Sequence, residues 1–433
     1  MKKFQQLLFL FFIGIHVTTI AQQTPADEQN EAVTIVGATA HIGNGKIIEN
    51  SLIIIEEGKI SIVTDVKTML PYKGNIIYAE GKHVYPGFIA PNTTLGLAEI
   101  DAVRATRDFN EMGSMNPHIR SIIAYNAESQ VIESMRPNGV LLGQITPRGG
   151  TISGTSSIVQ FDAWNWEDAI VKENDGIHLN WPNTYRRGRW WLGEPRGYQP
   201  NKEYQKQLEK ISSFINNAIS FGKTTSVSKN ETFEAMQGLF DGSKKLFVNV
   251  NGEKEIIDAI TTLKENNIKN IVIIGGYESY KIADLLVKNN ISVLVRRVHT
   301  TPINEDDDYD LPYKLAKLLI EQGVLVALQT SGQMERMNTR NLPFYAGQLV
   351  GQGLNKETAL QLITLNSAKI LGIDTHYGSL EKGKSATLFI SEGDALDMRS
   401  NNLTHAFIDG REISLETHQT ELWKRYMKKY EGK

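Results

Sequence analysis

An α/β protein is predicted: a barrel of strands alternating with helices, bracketed by β-rich segments at both ends of the chain. Three observations carry this. Short β-rich runs punctuated by glycine and asparagine follow one another closely from Val33 to Tyr78, which suggests a small β-sheet module. After Val84 apolar strand candidates alternate with helical stretches, the rhythm of parallel strands with crossover helices. Strand character then returns at 386–390 and 406–408. With 433 residues the chain can bury a large core, and one barrel with a small appended domain suits that length.

Taken in order, residues 1–21 read as an export signal. Lys2 and Lys3 precede an apolar run from Leu7 to Val17, and the tripeptide Thr19-Ile20-Ala21 offers small residues at the cleavage positions. That run is shorter than the roughly 20 residues a membrane span needs, so no stable membrane anchor is expected after its removal. The implied location is periplasmic or secreted. Residues 22–84 hold a polar tether, Gln22 to Asn30, and then the runs 33–36, 51–55, 59–63 and 75–78, which form a β-module. The barrel is assigned to 85–374, with strands around Val248 and at 270–274, 292–295 and 323–328. Helices are expected over 253–266, 279–289 and 311–322, the last opening on Asp310 and Pro312. Residues 375–433 add the returning strands and a helix over about 415–430.

Composition narrows the function. The hydrophobic share is 41% and the charged share 22%, values of a globular protein. The formal net charge of −3 becomes −5 without residues 1–21, which carry two lysines and no acids, so nucleic acid is not an expected partner. The absence of cysteine excludes disulfides, thiol catalysis and cysteine metal ligands.

The segment Pro86-Gly87-Phe88-Ile89-Ala90-Pro91-Asn92-Thr93-Thr94 resembles the first barrel strand of the amidohydrolase superfamily, which reads Pro-Gly-(Phe/Leu)-Ile-Asp-x-His-x-His. The resemblance extends to 38–45, 57–60, 342–344, 364–372 and 378–386, and its closest flavour is the imidazolonepropionase-like group. It implies a (β/α)8 TIM-type barrel with a small composite β-sandwich built from the N- and C-terminal segments. It also implies a metal centre of histidines, often a bridging lysine, and a catalytic aspartate. Such a metal lowers the pKa of its bound water to about 7 for attack on a carbonyl, while the aspartate moves protons.

The ligand positions do not carry those residue types. Ala90 stands for the first-strand aspartate, and Asn92 and Thr94 for its two histidines. His178 falls where the bridging lysine would lie. Asn249 and Gly275 replace the two later histidines, and Ser331 replaces the catalytic aspartate. Amides and hydroxyls are poor ligands for a zinc-like ion. The expectation is an exported family member without the metal mechanism and without a resident cofactor, binding a small molecule or a partner in the old pocket. A second copy or a metal-complete homologue is the expected partner. The alternative is a working hydrolase of non-peptide carbon–nitrogen bonds, with a divalent metal such as Zn²⁺.

Other features rank lower. His41 and His83 read as structural, and His118, His299, His376 and His405 lack ligand spacing. The acidic run 305–308 with Asp310 reads as a solvated loop without the spacing of a calcium loop. The glycine-rich 149–154 segment matches no phosphate loop, and a shape role is expected. Trp164, Trp166, Trp181, Trp190 and Trp191 gather with Arg186, Arg187 and Arg189, a composition suited equally to binding and to packing.

Overall fold

The computed structural model describes residues 24–188, 190–224 and 228–431. The expected export signal and Arg189 therefore lie outside the described residues. Eight strands form one near-closed sheet: β1 Phe88–Thr93, β2 Val140–Ile145, β3 Ile152–Gln160, β4 Ile170–Asn180, β5 Lys245–Val250, β6 Ile271–Gly275, β7 Ser292–Val295 and β8 Val326–Leu328. Neighbours pair in chain order. Their apolar residues reach the barrel interior from alternate positions, with Ile89, Leu142, Ile158, Phe247, Val272, Leu294 and Ala327 in one buried cluster. The helix Leu365–Leu371 adds Ala368, Ile370 and Leu371 to the same cluster.

One departure from strict alternation matters for the site. β3 runs antiparallel to both β2 and β4, so a hairpin stands where a crossover helix was expected. The remaining neighbours pair in parallel. The sequence of β3, Ile152-Ser153-Gly154-Thr155-Ser156-Ser157-Ile158, is buried throughout although half of it is hydroxylic. Its side chains are held by hydrogen bonds rather than apolar packing, and one of them becomes part of the site.

The chain ends build a two-sheet sandwich beside the barrel. One sheet orders Lys59–Asp65, Ser51–Glu56, Val33–Val36 and Asn75–Tyr78. The other joins the termini: Leu388–Ser391 pairs antiparallel with His83–Pro86, which in turn lies parallel to Thr39–His41. Residues 85 and 86, assigned from sequence to the barrel, thus sit in the sandwich sheet, and the chain passes into β1 at Gly87. No side chain fits there, because a Cβ would come within 2.8 Å of Thr387. The C-terminal helix spans His418–Met427 and opens with a Thr417–Thr420 capping box.

Candidate functional site

Active sites of this architecture lie at the C-terminal ends of the strands. There β1 ends in a bulge, with Asn92 at φ +53°, a left-handed conformation that asparagine tolerates better than most residues. The turn aims the Asn92 side chain across the barrel. Its Oδ1 accepts from Arg148 Nη1 at 2.8 Å, its carbonyl oxygen accepts from Arg148 Nη2 at 2.9 Å, and its Nδ2 donates to Gln329 Oε1 at 3.3 Å. Arg148 comes from the loop between β2 and β3, and its Nη2 also meets Glu335 Oε2 at 3.0 Å. Glu335 Oε1 accepts from the Thr94 backbone N–H at 2.5 Å and from its hydroxyl at 3.0 Å. Arg336 donates to the Thr94 hydroxyl and pairs with Asp101.

A second buried chain starts from the same asparagine. The Asn92 N–H donates to Gln144 Oε1 at 3.0 Å, which fixes the orientation of that amide. Gln144 Nε2 therefore faces Asp175 Oδ2 at 2.8 Å and Ser156 Oγ at 3.2 Å. Ser156 gives its one proton to Asp175 Oδ1 at 2.7 Å, so His178 Nε2, 2.9 Å from Ser156, must be the donor in that contact. Nδ1 of His178 then carries the lone pair. The ring lies flat on Phe247, 4.8 Å between centroids. Burial, helped by the Arg148 charge, holds this imidazole well below its ordinary pKa and so neutral. Burial pushes the Asp175 carboxyl up, against the hydrogen bonds from Ser156 and Gln144.

The structure brings most of the sequence-predicted residues together. Asn92, His178, Asn249 and Ser331 line one cavity of about 50 Å³, with Arg148, Asn180, Ser153 and Phe247. Asn249 donates to Asn180 Oδ1 at 3.2 Å, and the Ser331 N–H donates to Gln329 Oε1 at 2.7 Å. Thr94 lies outside the lining, under Glu335. Gly275 is a correction: Ile274 forms the wall instead, because strand alternation puts Ile274 on the inner face. Gly275 itself sits at φ +92°, and a Cβ there would come within 2.5 Å of Asn251 Oδ1. A histidine at Gly275 would not fit this backbone.

These residues do not fit a divalent metal. Among the described residues no three His, Cys, Asp or Glu side chains group as a ligand set. The one imidazole commits its Nε2 to Ser156, and the nearest carboxylate at the mouth is paired with Arg148 and Thr94. Arg148, Glu335, Gln144, Ser156 and Asp175 escaped the sequence reading. Their only local signals were a charged residue three positions after the strand end, at Arg148, and an aspartate three residues before His178.

The tryptophan region divides. Trp181 is buried and donates from Nε1 to Tyr204 Oη at 3.2 Å, and Trp166 packs against the main core. Trp164, Trp190 and Trp191 are exposed. The hairpin Tyr185–Arg187 with Tyr198–Pro200 borders a cleft of about 620 Å³ that shares Asn180 with the central cavity. In the glycine-rich loop, Gly149, Gly150 and Gly154 all take positive φ, and a Cβ on Gly154 would come within 2.5 Å of the Ile119 carbonyl oxygen. The acidic run is a loop whose Asp307 accepts from Tyr277 Oη at 2.7 Å. His41 is buried between Glu357, at 2.7 Å, and His83, at 3.1 Å, in the sandwich–barrel junction.

Comparison with known proteins agrees with this architecture. Residues 313–413 match the family model described as "Amidohydrolase family". An imidazolonepropionase of Syntrophobacter fumaroxidans is 38% identical over 82 residues, 19% of each chain. An adenine deaminase of Clostridium botulinum is 19% identical over 417 residues, 92% of this chain. The match covers 59% of that deaminase, so this chain spans less than two thirds of either relative. An amidohydrolase structure from Thermotoga maritima superposes with a TM-score of 0.76 at 23% identity, over 88% of this chain and 99% of that one. The barrel with its composite sandwich, the motifs along the chain and these likenesses converge: the chain is similar to the amidohydrolase superfamily, in fold along most of its length and in sequence over residues 313–413.

Proposed function

We propose that this chain is an exported amidohydrolase-family barrel that binds a small molecule or a protein partner and does not run a metal-dependent hydrolysis. One observation carries the reading. The Arg148 guanidinium, clamped on Asn92 and paired with Glu335, stands among the positions aligned with the family's metal ligands. A divalent ion there would face a fixed cation and neutral amides, and the Glu335 carboxylate at the mouth is already engaged. No resident metal is assigned. Export rests on the charge and hydropathy pattern of residues 1–21, and no helix among the described residues is long and apolar enough to cross a membrane. The exposed Trp190 and Trp191 hairpin is the surface proposed to meet a second copy or a metal-complete homologue.

A second reading, a hydrolase of non-peptide carbon–nitrogen bonds, draws on two observations. The named relatives, an imidazolonepropionase and an adenine deaminase, bear the names of enzymes. His178 also lines the cavity, and with its Nε2–H committed to Ser156 its Nδ1 would serve as a proton acceptor. Elemental analysis of the purified protein, with turnover assays on cyclic amides and aminopurines in the presence of Zn²⁺, Mn²⁺ or Co²⁺, separates the two. Expected are metal far below one ion per chain and no chelator-sensitive turnover. Stoichiometric metal with turnover abolished by chelator would overturn the first reading.

A further inference from the structure

The Glu335 carboxylate is held as a bound ligand would be. One oxygen accepts from the Thr94 backbone N–H at 2.5 Å and the Thr94 hydroxyl at 3.0 Å, and the other from Arg148 Nη2 at 3.0 Å. Arg148 and the Thr94 backbone N–H are supplied by the barrel, and Arg148 is aimed by two contacts to Asn92. The carboxylate, by contrast, is delivered by the five-residue helix Glu335–Thr339. Gly332 at φ +130° and Met334 at φ +55° precede that helix, and Met334 and Met337 face solvent. Behind the cradle lies the central cavity, whose lining includes both Asn92 and Arg148.

We infer that Thr94 and Arg148 form a carboxylate-binding site which Glu335 fills in this structure, and that the pocket's ligand is a small carboxylate-bearing molecule that takes the place of Glu335. The inference rests on the binding reading of the barrel mouth. The cradle matches a planar, singly charged anion: the Arg148 guanidinium supplies the countercharge and serves one oxygen, and Thr94 serves the other. A tetrahedral dianion would bring oxygens and charge that this donor set does not meet. The ligand's remaining atoms would extend toward Asn249, Ser331 and the Nδ1 acceptor of His178.

The test vacates the cradle and refills it from solution. Glu335→Ala is melted in sodium acetate, sodium phosphate and sodium chloride at matched ionic strength. A saturable rise in Tm of several degrees is expected with acetate alone, much smaller in the wild type and absent in the Glu335→Ala, Arg148→Met double variant. No acetate-specific rise, an equal rise with phosphate, or a rise that survives loss of Arg148 would overturn the assignment. Should Glu335→Ala fail to fold, amide hydrogen exchange of the wild type decides. Acetate over chloride should speed exchange across residues 332–340 several-fold, and unchanged exchange would count against the site. Chelator-sensitive turnover would sink the binding reading by itself, whereas the acetate titration reads the cradle without any reference to activity.

Discussion

At the scale of single residues, His178 is the group whose state the surrounding hydrogen bonds decide. Its Nε2–H is committed to Ser156, and Ser156 to Asp175, so protonating the ring means placing a proton on Nδ1 in a buried site beside Arg148. A group with a depressed folded-state pKa adds stability above its unfolded value, here about 6.5, and withdraws it as pH falls toward the folded value. Denaturation midpoints measured from pH 7.5 down to 4.5 should therefore fall in the wild type below about pH 6.5. They should fall less steeply in His178→Gln, which retains a donor toward Ser156. Asp175 acts in the opposite sense. Its raised pKa gives a contribution that is full below 3.8 and is lost as pH rises. Asp175→Asn should accordingly gain stability relative to wild type as pH rises toward neutrality. Parallel midpoint curves for all three proteins would contradict this account of the relay.

Elements meet at positions where a side chain has no room. The turn Arg136–Asn138 closes on Gly139 at φ +80°, immediately before β2, and a Cβ there would lie 2.5 Å from the Phe389 ring of the sandwich. Gly139→Ala combines a left-handed backbone, worth about 1–2 kcal/mol, with overpacking of about 1–3 kcal/mol. A loss of about 2–5 kcal/mol in urea unfolding is expected, and a loss below about 1 kcal/mol would mean that barrel and sandwich yield to one another easily. The barrel floor is tied in a different way. Lys172 from β4 and Lys245 from β5 donate to the last carbonyl oxygens of the helix Leu365–Leu371, satisfying groups that a helix end leaves open.

For the whole molecule, Asp162 is the clasp. It is 1% exposed and meets Arg136 at 3.2 Å and Arg411 at 3.0 Å, and it accepts from the Ala26 backbone N–H at 2.9 Å. One carboxylate thus joins the segment after β3, the N-terminal tether and the C-terminal strand Arg411–Glu412. Removing one partner of a buried pair leaves uncompensated charge, at a cost of about 3–5 kcal/mol. Asp162→Ala should lose that much stability and expose residues 24–30 to proteolysis before the barrel itself unfolds. Wild-type resistance to cleavage at those residues would show that the tether is held by something else.

The sequence by itself determined the class of fold, the two β-rich ends and the identity of the residues at the strand mouths. Those are written in local patterns: the alternation of strand and helix, glycine and asparagine at turns, and motif positions such as Asn92, Asn249 and Ser331. Tertiary structure alone decided how the site is wired. Arg148 and Glu335 are 187 residues apart, and no local period or spacing relates them. The antiparallel β3 was equally hidden, since hydroxyl-rich strands lack the apolar run that marks a buried strand. Its burial became evident only when Ser156 found Asp175 and His178 across neighbouring strands. Gly275 shows the converse: a motif position can be aligned and yet turn away, because backbone conformation, set by what packs against it, chooses which of two adjacent residues faces the pocket. Local chemistry could name the residues of this mouth, but only the long-range pairing of buried charges and hydrogen bonds could say what they do to one another.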